Sequence, residues 1–377
     1  MRIFFYLPVI TPWWFDEIVV PMLHRLEADA AVEEVHIMVA PLWRNTGISG
    51  EHLVPLTGLE KLRWHIVDEE DPALFRKAAH CIAGLVETVN KAAPDLVLAR
   101  SADFETPRQF DAPVRYIMEA AAAPFATHPA WIVLEEQPFA YGAMPQDEAL
   151  LEACILRATP LWNHARRMAA SRDQAREALG LDHDGPVLAV PLQYEHEENF
   201  FLSQARHGSS VDLLGDLLDH TAQNVLLAVT DHPLNTLHVS RLGLDHFAAT
   251  RPDRIRLIQT HDATARLVLS ADAVVTDLSK TWSLAAFYGT PLLHVGRFAV
   301  ADWLQAHRNP ASFHKGGLSA PDALATRHWF AWHLAGRLMD PRRVDSGLLH
   351  RHFTGALLST DLDANIAALS EQAGEVA

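Results

Sequence analysis

The residues best placed to do chemistry lie where apolar runs end. The clearest group is Ala271 to Gly296, ADAVVTDLSKTWSLAAFYGTPLLHVG. A hydrophobic run closes on Thr276-Asp277, and Leu278-Ser279-Lys280-Thr281 lead into a helical segment. Ser279 or Thr281 can cap that helix. Free amides at a helix start attract phosphate, and two hydroxyls with the Lys280 ammonium add donors. A plain strand–cap–helix junction fits the same residues. Thr230-Asp231-His232-Pro233 closes another apolar run. An imidazole there can hold a phosphate or hand a proton to a leaving group, although a solvated loop histidine fits as well. In VPLQYEHEENFF (190–201), Gln193 closes a run and Glu195, Glu197 and Glu198 follow in a polar loop. A carboxylate there can attack a sugar or act as base; a charged exposed loop is the plainer reading. Glu119 ends PVRYIME, placed to deprotonate a hydroxyl or simply to favour a helix start. IVLEEQPFAYG supplies Glu135, Glu136 and Tyr141 at a neighbouring run's end. Trp13, Trp14 and Phe15 follow the first run and can stack on an acceptor sugar or pack in the core.

Strand ends matter because ligands in open α/β sheets bind beyond the carboxyl ends of the strands. The runs at 2–9, 34–40, 62–67, 94–100, 113–119 and 130–136 read as strands, with helical spacing over 14–26 and 72–92. A helical stretch over 147–179 ends near Gly180, and LDHDGP (181–186) is turn chemistry. The pattern then restarts with strands at 187–193, 224–233, 254–259, 272–277 and 291–296, and helices at 210–223 and 283–289. This alternation predicts an α/β fold of two Rossmann-like halves: an N-terminal domain over 1–180 and a C-terminal domain over 181–377. The helical region 321–372 is expected to pack back on the first half.

Composition narrows the function. A chain of 377 residues suits two domains. A net charge of −16 disfavours a general nucleic-acid binder, which needs a basic surface. Neither GxGxxG nor GxxxxGK[ST] is present, which weakens dinucleotide-enzyme and P-loop readings. Cys81 and Cys154 form no CxxC pair, so neither a zinc site nor a disulfide framework is expected. The apolar N-terminus has one Arg, Pro8 and no small-residue cleavage site, and it reads as a buried strand rather than a signal peptide. No apolar run reaches membrane-span length. The expected setting is the cytoplasm, with peripheral association at the inner membrane or with an assembly complex left open.

In order, EAAAAPF, VLEEQPFAYG, VPLQYEHEENF, DHP and VVTDLSKTWSLAAFYGTPLLHVG resemble bacterial capsule-polysaccharide biosynthesis glycosyltransferases. They are similar in particular to the retaining β-Kdo transferases of capsule and lipopolysaccharide O-antigen synthesis. The resemblance covers roughly residues 113–300 and rests on the order and spacing of the motifs. It implies a GT-B-like fold with an interdomain cleft, a CMP-activated donor such as CMP-Kdo or a related ulosonic acid, and a glycan or glycolipid acceptor. Glu119 with Pro124 matches an E-x-G-x-x-P motif, without its Gly, and would be the acceptor base. Gln193 matches a P-L-Q-x-x-x-D loop whose Asp is replaced by Glu197, which would attack or stabilise the donor sugar. His232, Ser279 and Thr281, with Lys280, would hold the CMP phosphate. CMP needs no metal to leave, and no DxD-like motif is evident, so no metal or other cofactor is expected. TDLSKT is also a fair match to CDP-glycerol-type glycerophosphotransferases, and the Glu197 replacement leaves room for a non-catalytic GT-B scaffold.

Overall fold

The apolar runs form two separate parallel sheets. The computed structural model describes residues 1–260, 263–314 and 317–375. The first sheet contains β1 (Arg2–Tyr6), β2 (Glu34–Val39), β3 (Leu62–Ile66), β4 (Leu96–Ala99), β5 (Val114–Glu119) and β6 (Ile132–Glu135), in the order β3-β2-β1-β4-β5-β6. All neighbours run parallel except β6, which lies antiparallel to β5 with Glu119 opposite Ile132. The second sheet contains β7 (Val187–Pro191), β8 (Leu226–Thr230), β9 (Ile255–Ile258), β10 (Ala273–Thr276) and β11 (Leu292–His294), in the order β11-β10-β7-β8-β9 and all parallel. Counted from its own first strand, each sheet has the Rossmann order 3-2-1-4-5, with β6 extending the first. The architecture is therefore α/β and GT-B-like: two facing Rossmann-like domains with a cleft between them.

Sequence explains why these strands sit inside. Every residue of β7, β8 and β10 is buried, as continuous apolar runs require when helices cover both faces of a parallel sheet. Phe4 and Phe5 on β1 are wholly buried on opposite faces and belong to different core clusters. Each such side chain contributes about 1.5–3 kcal/mol of burial.

Three helical expectations needed correction. The helix expected at 14–26 begins at Pro12, capped by Thr11, and continues to Ala28 through a π-turn over Phe15–Val19. Pro21 has no N–H to give residue 17, and the widened turn lies over that gap. The stretch 72–92 is two helices, Pro72–Lys77 and Leu85–Lys91, separated by a 3-10 turn and by Gly84 at φ +75°. The stretch 147–179 divides into Glu148–Met168 and Arg172–Ala178 because Ser171 and Gln174 form a capping box. Gly180 then takes φ +59°.

The end of the chain returns to the first sheet. Ile132 and Met339 exchange backbone hydrogen bonds of 3.0 and 2.9 Å. Met339, Leu348 and Leu349 share a core cluster with Ile3 and Phe5 of β1. Among the described residues, no helix is long and apolar enough to cross a membrane.

Candidate active site

The carboxyl ends of both sheets face one cavity of about 1460 Å³. From the first half it is lined by Arg100 beyond β4, Glu119 at the end of β5 and Glu135 at the end of β6. From the second come Gln193 beyond β7, Thr230 to His232 at β8, Ile258 to Thr260 at β9, and Leu278 to Thr281 beyond β10. The cavity thus lies beyond β4 and β5 of the first sheet and beyond β7, β8, β9 and β10 of the second.

Glu119 and Lys280 meet across the cavity. The Lys280 ammonium donates to Glu119 Oε2 at 2.9 Å and to its carbonyl at 3.3 Å. Arg100 donates to Glu119 Oε1 at 2.8 Å. Burial alone would raise the Glu119 pKa, but the Lys280 and Arg100 charges outweigh it and hold the carboxyl far below its usual range. Glu119 and Lys280 still keep 34% and 37% of their side-chain surface open. Arg100 is fixed independently: its guanidinium lies 3.5 Å from the centroid of the Trp14 ring and donates to the Ile117 carbonyl.

At the β10 end, the helix Thr281–Tyr288 is almost wholly buried. The structure corrects its cap: Lys280 occupies the N-cap position without a side-chain cap bond, while Ser279 Oγ accepts from the Thr281 amide at 3.3 Å. The Ser279 and Thr281 hydroxyls lie 2.9 Å apart. At the β8 end, His232 Nδ1 caps the helix Pro233–His238 by accepting from the Leu234 amide at 3.3 Å, which leaves the ring proton on Nε2. Desolvation lowers the His232 pKa, against a raising effect of Asp231, so the ring is a neutral donor. Asp231 and Glu195 are bound to Arg241, with salt-bridge contacts of 2.7 and 2.6 Å. Gln193 lines the cavity with a buried Oε1 that has no hydrogen-bond partner.

Several contacts brace the cleft. Tyr141 donates to the Leu278 carbonyl at 2.7 Å and stacks on Trp282, and its burial pushes its pKa well up. His333 Nε2 donates to the Ala120 carbonyl at 2.7 Å. Burial, with the Arg337 charge beside it, pushes His333 down to about 3. Arg337 pairs with Glu135 at 2.6 Å, with both side chains about nine-tenths buried.

The structure therefore brings Glu119, Tyr141, Gln193, His232, Ser279, Lys280 and Thr281 to one cavity. Other sequence candidates, Glu195 among them, lie outside its lining. Glu197 points into solvent, 58% open, with Arg44 3.2 Å away, while its loop neighbours Glu195 and Glu198 turn inward, 14% and 18% open. The alternative Glu198 accepts from Asn45 and Tyr194. Glu136 is exposed and pairs with Arg115 at 2.9 Å, since alternation along β6 sends Glu135 inward and Glu136 away. Trp13 is 47% exposed, and Trp14 is buried under Arg100. Sequence reasoning missed Arg100, Arg241, His333 and Arg337. Arg100 was open to the strand-end rule, as the last residue of PDLVLAR. His333 and Arg337, four apart on the C-terminal helical segment, carry no local signal.

No protein-family model matches the chain, and no curated protein sequence matches it. Solved structures do. The chain is similar to KpsC, a β-Kdo 2,7 transferase of Thermosulfurimonas dismutans, at 14% identity over 86% of this chain and 99% of that one, with a TM-score of 0.44. It is similar to the UDP-GlcNAc 2-epimerase of Neisseria meningitidis bound to UDP-GlcNAc, at 12% identity over 100% of each chain, with a TM-score of 0.26. The lipopolysaccharide outer core galactosyltransferase WaaB matches at 12% identity over 98% of this chain and 95% of that one, with a TM-score of 0.32.

Proposed function

We propose that the protein is a glycosyltransferase that moves a sugar from a nucleotide-activated donor to a glycan acceptor in surface-polysaccharide synthesis. The proposed donor is a CMP-linked ulosonic acid such as Kdo. One observation carries the reading: a first-half carboxylate, Glu119, and the second-half donors His232, Ser279, Lys280 and Thr281 line a single interdomain cavity. The motif series at these positions, read from the sequence, supplies the donor class.

In this reading the donor lies against the ends of β8 and β10. Its phosphate receives hydrogen bonds from the His232 imidazole and the Ser279 and Thr281 hydroxyls, and the charge of Lys280. Those donors stabilise the negative charge that grows as CMP departs. Glu119 faces them and takes the acceptor hydroxyl. Attack by Glu197, and with it a retaining course, requires the loop 194–199 to turn inward. The Arg44–Glu197 contact opposing that turn is exposed at 43% and 58% and is worth about 0–1 kcal/mol. The loop is also held by Glu195, 14% exposed and bound to Arg241, and by Glu198, which accepts from Asn45 and Tyr194.

The deciding experiment incubates the protein with CMP-Kdo, CMP-sialic acid and CDP-glycerol in parallel, with a glycan acceptor, and detects released nucleotide by mass. Acceptor-dependent CMP release from CMP-Kdo is expected. Turnover of CMP-sialic acid alone moves the donor to another ulosonic acid, and turnover of CDP-glycerol alone moves the protein to glycerophosphate transfer. Tight CMP binding without release from any donor makes it a non-catalytic module.

A further inference from the structure

Four Arg or Lys side chains are among the described residues of the cavity lining: Arg100, Arg241, Lys280 and Arg337. Three are locked. Arg241 is 13% exposed and bridges two carboxylates, Glu195 and Asp231. Arg337 is 9% exposed and paired with buried Glu135. Arg100, also 9% exposed, is held by Glu119, the Ile117 carbonyl and the Trp14 ring. Lys280 differs from all three. It is 37% exposed, sits on a flexible four-carbon stem, and its charge is met by one carboxylate, Glu119 Oε2.

An anion entering this cavity therefore finds one cation free to change partners, and its present partner is the carboxylate that faces the acceptor side. We infer that Glu119 and the phosphate of the donor compete for Lys280, so that donor binding unmasks Glu119. This rests on the donor placement proposed above. Without donor, Glu119 Oε2 is occupied by Lys280 and cannot take an acceptor hydroxyl. With donor, Lys280 turns to the phosphate. Arg100, anchored by its own contacts, keeps Glu119 in position through Oε1, and Oε2 becomes the open hydrogen-bond acceptor. Binding is then ordered, with donor before acceptor, because the site for the acceptor hydroxyl forms only after the donor is seated. The pair also joins β5 to the segment after β10, so the same exchange releases one tie between the two halves.

The test is a double-mutant cycle on CMP binding, measured by calorimetry for the wild-type protein, E119Q, K280M and the double variant, with thermal unfolding as a check on folding. Glu119→Gln removes the competitor and keeps the shape, so CMP should bind about tenfold tighter while acceptor-dependent turnover falls. Lys280→Met should weaken CMP binding about tenfold or more, and in that background E119Q should give no further gain. Unchanged or weaker CMP binding by E119Q, or a gain that persists without Lys280, would overturn the competition and leave the donor assignment standing. CMP binding by none of the four proteins would overturn the donor assignment, and the competition with it.

Discussion

His232 does two things with two nitrogens, and they can be separated. Nδ1 caps the helix Pro233–His238, while Nε2–H is the neutral donor proposed for the leaving phosphate. His232→Asn keeps an oxygen able to accept from the Leu234 amide but shortens the reach into the cavity. The cap survives and the donor is lost. Because the bond to phosphate strengthens as charge develops, its removal should lower kcat by about 10²–10³. KM should change little, and thermal stability should be unaffected. Steady-state kinetics beside a melting curve decide it: an equal loss in kcat and melting temperature would mean that the histidine only supports the fold. The residues legible in the sequence are those whose place in the cavity follows from position alone. Glu119, Gln193, His232 and the 279–281 segment each sit at a strand end, and strand ends converge in this architecture. Glu197 was not legible, because its direction depends on the course of a six-residue loop that no periodicity constrains.

At the scale of elements, the cleft is held by close approaches that leave little room for side chains. Gly142, in the loop after β6, has φ +82°, and a Cβ there would meet Ala301 Cβ at 2.8 Å and the Trp303 indole at 3.0 Å. The indole donates to the Gly142 carbonyl at 2.7 Å, so ring and backbone are already in contact. Gly142→Ala should therefore cost about 1–2 kcal/mol for the left-handed backbone, plus about 1–3 kcal/mol for overpacking. Gly180 is the control: its φ is +59° and nothing lies within 4 Å of a built Cβ. Gly180→Ala should show only the backbone cost. Urea unfolding of both variants measures the difference, and equal losses would show that the Trp303 approach is not tight. The same distinction explains which elements the sequence revealed. The eleven strands among the described residues all lie within the expected runs, most of them short apolar runs; edge strand β3, LRWHI, is the mixed exception. Helices failed at their joins, at Gly84 and Ser171, where one residue's backbone preference overrides spacing that runs on through it.

For the whole molecule, what could not be read locally is how the halves are fastened. Glu135 with Arg337, Ala120 with His333 and Ile132 with Met339 each span about two hundred residues, and their partners occupy unremarkable positions in an amphipathic stretch. These contacts give the protein an acid sensitivity of definite sign. His333 is buried and held neutral, pushed down to about 3, and His294, the last residue of β11, is pushed down to about 4 by burial. In the unfolded chain each regains a value of about 6.5. As pH falls below 6.5 the unfolded state takes up protons that the folded state refuses. Stability is thus complete above pH 6.5 and declines toward pH 4 by about 1.4 kcal/mol per pH unit for each histidine. The carboxylates whose pKa is lowered, Glu119 among them, add a loss of the same sign in a lower window, beginning near pH 4.5. Between pH 6.5 and 5 the decline therefore belongs to the buried histidines. His333→Gln retains a donor for the Ala120 carbonyl and removes the titration. Its unfolding free energy from denaturant titration should fall less steeply over that range than the wild-type one, by about 1.4 kcal/mol per pH unit. A slope identical to wild type would mean that His333 is protonated in the folded protein, and that the contact between Ala120 and the C-terminal segment is made by an imidazolium.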